Sequence, residues 1–218
     1  MDLMTCVINR QILGFAFVNN SRINGITSLN SKVGHFDFFF VHHFNVSDVT
    51  ITAPGDSPNT DGIKFGFSSN IHISNTLIGT RHDCIATLSG NTNMDISNVK
   101  CGPGHGLSVG SLGKNQDEKD VTDLTFRDIH NRWYSNQDLG ISASKIIVSD
   151  FVLENIQMIN GVSHVQIQDL KLKNIYGTSM NKVVVNLQCS KSIPWKNVEL
   201  ININIEHNGV DDGPSTAV

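Results

Sequence analysis

The sequence predicts an all-β chain wound as a solenoid, a parallel β-helix whose coils are roughly 24 residues long. Three observations predict it. Asn or Asp recurs ahead of short stretches in which Ile, Val and Leu alternate with polar residues. No apolar pattern with a 3.6-residue period is sustained, so long helices are excluded. The Asn, Gly, Ser and Asp residues between the stretches do not form an obvious hairpin series.

The repeats run along the whole chain. They are "NGITSL" at Asn24, "DVTITA" at Asp48, "NTLIGT" at Asn75, "NVKCGP" at Asn98, "DLTFRDI" at Asp123, "DFVLENI" at Asp150, "DLKLKNI" at Asp169 and "NVELINI" at Asn197. The successive intervals are 24, 27, 23, 25, 27, 19 and 28 residues. Each coil buries its apolar face on its neighbours, and Asn stacked at one place in the coil satisfies backbone groups at the corners. A leucine-rich repeat has a similar period but needs Leu at fixed places. Here Ile and Val dominate, and several coils hold a further β-like stretch such as "GLSVGSL". The interval of 19 reads as a coil with a part missing. Residues 1–218 read as a single domain, with a disordered or merely terminal tail over about 209–218.

Composition narrows the function. A chain of 218 residues, 39% hydrophobic and 17% charged, can bury a full core. A net charge of −4 with no long basic run argues against a general nucleic-acid binder. No apolar run reaches the ~18 residues of a membrane span. The start, "MDLMTCVINRQILGFAFVNN", has Asp2 and an apolar stretch broken by Asn9, Arg10 and Gln11, a poor signal peptide. The chain therefore reads as cytosolic or as lacking its natural start. Four cysteines are too few for a disulfide scaffold and lack zinc-knuckle spacing.

The chemistry concentrates at one spacing. Asp61, Asp83 and His105 are separated by 22 and 22 residues, and His82 adjoins Asp83. In a parallel β-helix such residues stack about 4.8 Å apart, placing carboxylates from adjacent coils beside an imidazole. Glycoside hydrolysis needs such a set: one group protonates the departing oxygen while a carboxylate activates water or attacks the sugar. Crowding raises a carboxylate's pKa, which suits one of them to act as an acid. The alternative is that the aspartates make turn hydrogen bonds and the histidine is structural.

"APGDSPNTDGI", "IGTRHDCIA" and "CGPGHGLSVGSLG", in that order, resemble the polygalacturonases of glycoside hydrolase family 28, especially plant exo-acting and pollen-type members. The resemblance covers about residues 15 to 210. It implies a right-handed parallel β-helix, an extracellular cell-wall setting, and inverting hydrolysis of α-1,4 bonds in polygalacturonate or pectin. It implies a monomer acting without metal, organic cofactor, nucleic acid or membrane. By the same resemblance, Asp61 of Asn59-Thr60-Asp61 and Asp83 position and activate water, and His105 of Gly104-His105-Gly106 supports the site. Cys84 and Cys101 match a disulfide joining neighbouring coils.

The departures from the family pattern are specific. Where the family has Gly-Asp-Asp-Cys, this chain has Arg81-His82-Asp83-Cys84, so His82 stands in the place of the general acid. The family's Arg-Ile-Lys motif, which holds substrate carboxylates, aligns with "DLGISAS", with Gly140 and Ser142 in the cationic positions; Arg132 and Lys145 lie nearby. The family's Asn-Tyr-Cys segment falls in the short interval, and Trp195 stands where a partner for Cys189 is usual. The family's first coils have no counterpart, which reads as truncation. An imidazolium tied to two carboxylates gives up its proton reluctantly, so weak or absent hydrolysis is expected. The alternatives are a non-catalytic pectin-binding or structural relative and a pectate lyase; the motifs disfavour the latter. His42 and His43 are poor metal ligands as a pair, because neighbours on a strand face opposite ways.

Overall fold

A computed structural model describes residues 13–58, 60–110, 112, 118–132, 144–156, 167–179, 183–185, 194–209 and 216–217. Every regular element among these residues is a β-strand, and the strand pairings among them are parallel. The predicted parallel β-helix is therefore the observed fold. A five-stranded sheet stacks Leu13–Ala16, Gly34–Phe39, Asp61–Gly66, Asp83–Thr87 and Gly106–Val109 in sequence order. A ten-stranded sheet forms the other wall. It includes Ser69–Gly79, Thr92–Cys101, Thr122–Arg132, Ser144–Ile156, Gln168–Ser179 and Lys196–His207.

The core follows from stacking like on like. Phe15, Phe38 and Phe65 occupy one register, with ring centroids 5.0 and 4.7 Å apart, and Phe44 packs on Phe38 at 5.1 Å from the other wall. Beside this column run Phe36, Ile63, Ile85 and Leu107, all buried. A second aromatic column lies at the corner after the five-stranded sheet. Phe17, Phe40 and Phe67 all have positive φ and stack at 5.0 and 5.1 Å. The stack meets Gly90 (φ +77°), where a Cβ would lie 2.6 Å from the Phe67 ring.

The polar corners differ from the sequence reading in an instructive way. The ten-stranded wall bends twice per coil, and each bend has its own column of residues in the left-handed region. The first contains Asn20, His43, Asn70, Asn93, Asp123, Asp169 and Asn197; the second contains Gly25, Asp48, Asn75, Asn98, Asp128, Asn174 and Asn202. Asn, Asp and Gly tolerate this backbone better than other residues do. Their side chains also bond from coil to coil: Asn98 Nδ2 donates to Asn75 Oδ1 at 2.7 Å, Asn93 Nδ2 to Asn70 Oδ1 at 2.6 Å, and Asn197 Nδ2 to Asp169 Oδ1 at 2.8 Å. The single repeat read from the sequence switches between these two columns. The interval of 19 is thus not a missing part of a coil. Ser149 pairs with Lys173 and Gln168 with Lys196, so successive coils here keep offsets of 24 and 28.

His42 and His43 separate as expected. His42 Nδ1 bonds Ser69 Oγ at 2.7 Å, whereas His43 belongs to the first corner column. Thr216–Ala217 pairs in parallel with Val183–Val185.

Candidate active site

The candidate residues gather at the N-terminal ends of three successive strands of the five-stranded sheet. Asp61 opens the Asp61–Gly66 strand, Asp83 opens the Asp83–Thr87 strand, and His105 immediately precedes Gly106–Val109. The register Ile63↔Ile85 preserves the offset of 22 that stacks Asp83 over Asp61. At the third level the straight column fails. Asp83 pairs with Gly106, and a bulge restores the 22-residue offset only at Leu107. His105 is thereby drawn to the corner, where its backbone N–H donates to the His82 carbonyl at 3.0 Å. Gly104 allows this approach: at φ +152°, a Cβ would lie 2.3 Å from the Thr80 carbonyl oxygen and 2.5 Å from that of His82. The Cys84–Cys101 disulfide ties the same two coils.

The side chains form one connected cluster. His82 Nδ1 and Asp61 Oδ1 are 2.5 Å apart, and His82 Nδ1 is 3.9 Å from Asp83 Oδ1. His105 Nδ1 lies 3.7 Å from the same Asp83 oxygen, and the two imidazole rings meet edge-on at 4.4 Å. Ser108 Oγ donates to Asp83 Oδ2 at 2.7 Å. Lys64 Nζ lies 3.2 Å from Asp61 Oδ2 and 3.9 Å from Asp37 Oδ1. His82, Asp83 and His105 offer possible metal-ligand atoms that all lie within 4.8 Å of one another.

Electrostatics couple Asp61 to His82. Burial works to raise the Asp61 carboxyl, but the hydrogen bond to His82 and the nearby Lys64 outweigh it and hold the carboxyl below its ordinary range. His82 is raised above its usual value, first by that bond, with burial opposing and Asp83 assisting. Crowding therefore does not raise the Asp61 carboxyl. Among the described residues the Asp37 carboxyl is raised, chiefly by burial, against the pull of Lys64 and with help from the Asp61 charge.

The structure thus brings together Asp61, His82, Asp83 and His105. Sequence reasoning missed Asp37, Lys64 and Ser108. Asp37 carried the available signal, an acidic residue inside the apolar run "HFDFFF". Lys64 pairs in register with Asp37 and sits three residues beyond Asp61. Gly140 and Ser142 lie outside the described residues, as do Asn59, Cys189 and the side chains of Arg132 and Lys145. Trp195 packs against the core.

Comparison with known proteins locates the chain. The Glycosyl hydrolases family 28 sequence model matches residues 4–132 and 127–217. An exopolygalacturonase of Zea mays is 39% identical over 231 residues, covering 95% of this chain and 56% of the relative. A polygalacturonase of Medicago sativa is 38% identical, covering 94% of this chain and 53% of the relative. The chain thus spans about half the length of the relatives it matches. Two solved structures share the fold. An endo-xylogalacturonan hydrolase from Aspergillus tubingensis superposes with a TM-score of 0.68 at 21% identity, covering 95% of this chain and 67% of that one. A polygalacturonase from Erwinia carotovora ssp. carotovora gives 0.53 at 21% identity, covering 92% and 59%.

Proposed function

The chain belongs to glycosyl hydrolase family 28, and from that premise we propose that it acts on polygalacturonate or pectin outside the cell as an impaired inverting hydrolase of α-1,4-galacturonosidic bonds. The observation that carries this reading is the pair of carboxylates on adjacent coils, Asp61 and Asp83, with an imidazole tied to one and facing the other.

In this mechanism a water molecule lies between Asp61 and Asp83 on one side of the sugar. One carboxylate takes a water proton as the water oxygen bonds to the anomeric carbon. The glycosidic bond breaks, and the departing oxygen takes a proton from His82. A single displacement inverts the anomeric centre. His105 and Ser108 hold Asp83 in place by direct contact. Lys64 is the described cation next to the cluster, but it already serves Asp61 and Asp37, so it is poorly free to hold a substrate carboxylate.

The impairment follows from His82. Its bond to Asp61 stabilises the imidazolium and ties up a carboxylate that must handle water. A donor that is too basic transfers its proton slowly, and a displaced donor adds a further loss. The same bond favours a second reading, a groove that binds pectin without cleaving it.

The test is reducing-sugar release from polygalacturonate between pH 4 and 7, using protein shown by circular dichroism to be folded. We expect slow release that falls by a further ~10²- to 10⁴-fold in Asp83→Asn. No release from the folded wild type would discard the hydrolase reading and leave the binding one.

A further inference from the structure

We propose that His82, Asp83 and His105 form a binding site for a divalent transition-metal ion of the Zn²⁺ type. The proposal goes beyond hydrolysis and departs from the family expectation of a metal-free groove.

The donor set is two imidazoles and one carboxylate, a combination that selects Zn²⁺, Co²⁺ or Cu²⁺ over Mg²⁺ and Ca²⁺. The candidate ligand atoms lie within 4.8 Å of one another, with Asp83 Oδ1 at 3.9 Å from His82 Nδ1 and 3.7 Å from His105 Nδ1. Ligands about 2.0–2.1 Å from a tetrahedral ion stand about 3.3 Å apart. Closure therefore shortens the two pairs that share Asp83 by well under 1 Å, and it requires His82 Nδ1 to exchange its proton and its bond to Asp61 Oδ1 for the ion.

The backbone beneath is already fixed for this. His82 and Asp83 are adjacent at the head of one strand, and His105 is held over them by its N–H bond to the His82 carbonyl. The Cys84–Cys101 disulfide ties the same two coils. Three ligands from two fixed coils leave a fourth position for water or a substrate oxygen, as in open zinc sites.

The surroundings support a cation on balance. Asp61 lies against His82 and adds a second negative charge beside the ligand set. Lys64 opposes the ion, but it is held at Asp61 Oδ2 whereas His82 engages Oδ1. Ser108 donates to Asp83 Oδ2, leaving Oδ1 to face both histidines. Solvent can deliver the ion, because the His82 side chain is 33% exposed and that of Asp83 19%. His82 is the decisive residue. An aspartate there, as in the family motif, gives a carboxylate cluster with one imidazole.

The test is calorimetric titration of the whole chain with Zn²⁺, and with Co²⁺ followed by its visible absorption. Ca²⁺ and Mg²⁺ serve as controls, and any reactive thiols are alkylated beforehand. We expect one Zn²⁺ per chain, a tetrahedral or five-coordinate Co²⁺ spectrum, and no comparable binding of Ca²⁺ or Mg²⁺. His82→Asp and His105→Gln should each weaken binding by about tenfold or more. Histidine-ring NMR of the wild type gives a readout independent of variant folding: Zn²⁺ should shift the His82 and His105 signals and leave buried His35 in place. The proposal is overturned by no stoichiometric Zn²⁺ binding, by binding unchanged in folded His82→Asp, or by ring shifts confined to other histidines. None of these readouts depends on sugar release, so the site and the hydrolase reading stand or fall separately.

Discussion

The two walls of the solenoid use the same stacking geometry for opposite ends. At the corners of the ten-stranded wall, like residues lie over like: Asn75 over Asp48, Asn98 over Asn75, Asn93 over Asn70. Each side chain meets the needs of the next, and the column could be extended without limit. At the head of the five-stranded wall, successive coils place unlike groups together: Lys64 against Asp37 and Asp61, His82 against Asp61, and His105 against Asp83. That cluster satisfies itself only in part, and Asp37 Oδ1 is buried without a hydrogen-bond partner. At the corners, identity from coil to coil serves the bend of the backbone; at the head of the five-stranded wall, unlike groups meet and are only partly satisfied.

The most forceful way to break this comparison is to change the residue on which the cluster turns. His82→Asp releases Asp61 from its bond to the imidazole and restores an acidic donor. Sugar release should rise by roughly 10²- to 10⁴-fold, measured under the conditions set out above. An unchanged rate in a folded variant would mean that more of the groove than this one donor is unfit for hydrolysis.

The interior stack should give the next largest effect. Phe38 is fully buried between Phe15 and Phe65 and touches Phe44. Phe38→Ala should cost about 3–5 kcal/mol in urea unfolding. A loss under about 1 kcal/mol would show that the coils hold together without their aromatic column.

A comparable effect comes from pH at His35. This imidazole is fully buried; Nδ1 bonds Ser28 Oγ at 2.7 Å while Nε2 has no partner, and burial lowers its pKa to about 4. The unfolded chain takes up this proton near 6.5 and the folded chain does so only near 4. Stability from this group is complete above pH 6.5 and is lost as pH falls towards 4, by about 3 kcal/mol in all. Denaturation midpoints across that interval would reveal the slope, and His35→Gln should flatten it. The Asp61–His82 pair contributes differently. The Asp61 share is lost as acid protonates the carboxyl below its ordinary range, and the His82 share is lost as pH rises past the raised pKa of the imidazole.

The smallest effect should fall on the corner columns. Asn75→Ala removes two exposed coil-to-coil bonds, one accepted from Asn98 and a longer one donated to Asp48, and places Ala at φ +51°. About 1–2 kcal/mol is expected from these two costs together, and Asn75→Gly should recover part of it by relieving the backbone. If Gly restores nothing, the side-chain bonds rather than the bend carry the cost.

Much of this architecture was legible in the sequence because stacking turns distance in the chain into distance in space. Asp61 and Asp83 announced their proximity through an offset of 22, which the register preserves. His105 announced it less faithfully, because the bulge at Gly106 and Leu107 is a local backbone event that no spacing reveals. The two corner columns were merged into one because Asn and Asp recur at both bends, and composition cannot separate positions that share a backbone need. Lys64 escaped notice for another reason. It lies three residues from Asp61 and one coil from Asp37, and its long side chain reaches both.

The two corner columns keep a separation of five residues in every coil that presents both: 20 and 25, 43 and 48, 70 and 75, 93 and 98, 123 and 128, 169 and 174, 197 and 202. The distance from one coil to the next varies much more, from 22 between Arg127 and Ser149 to 30 between Asn98 and Asp128. Insertions and deletions are thus excluded from the stretch between the bends and fall on the rest of each turn, which includes the edge where the acids and histidines sit. The solenoid confines change in length to the part of the turn that carries the acid and histidine cluster, so the surroundings of that cluster can be reshaped without rewinding what holds the coils together.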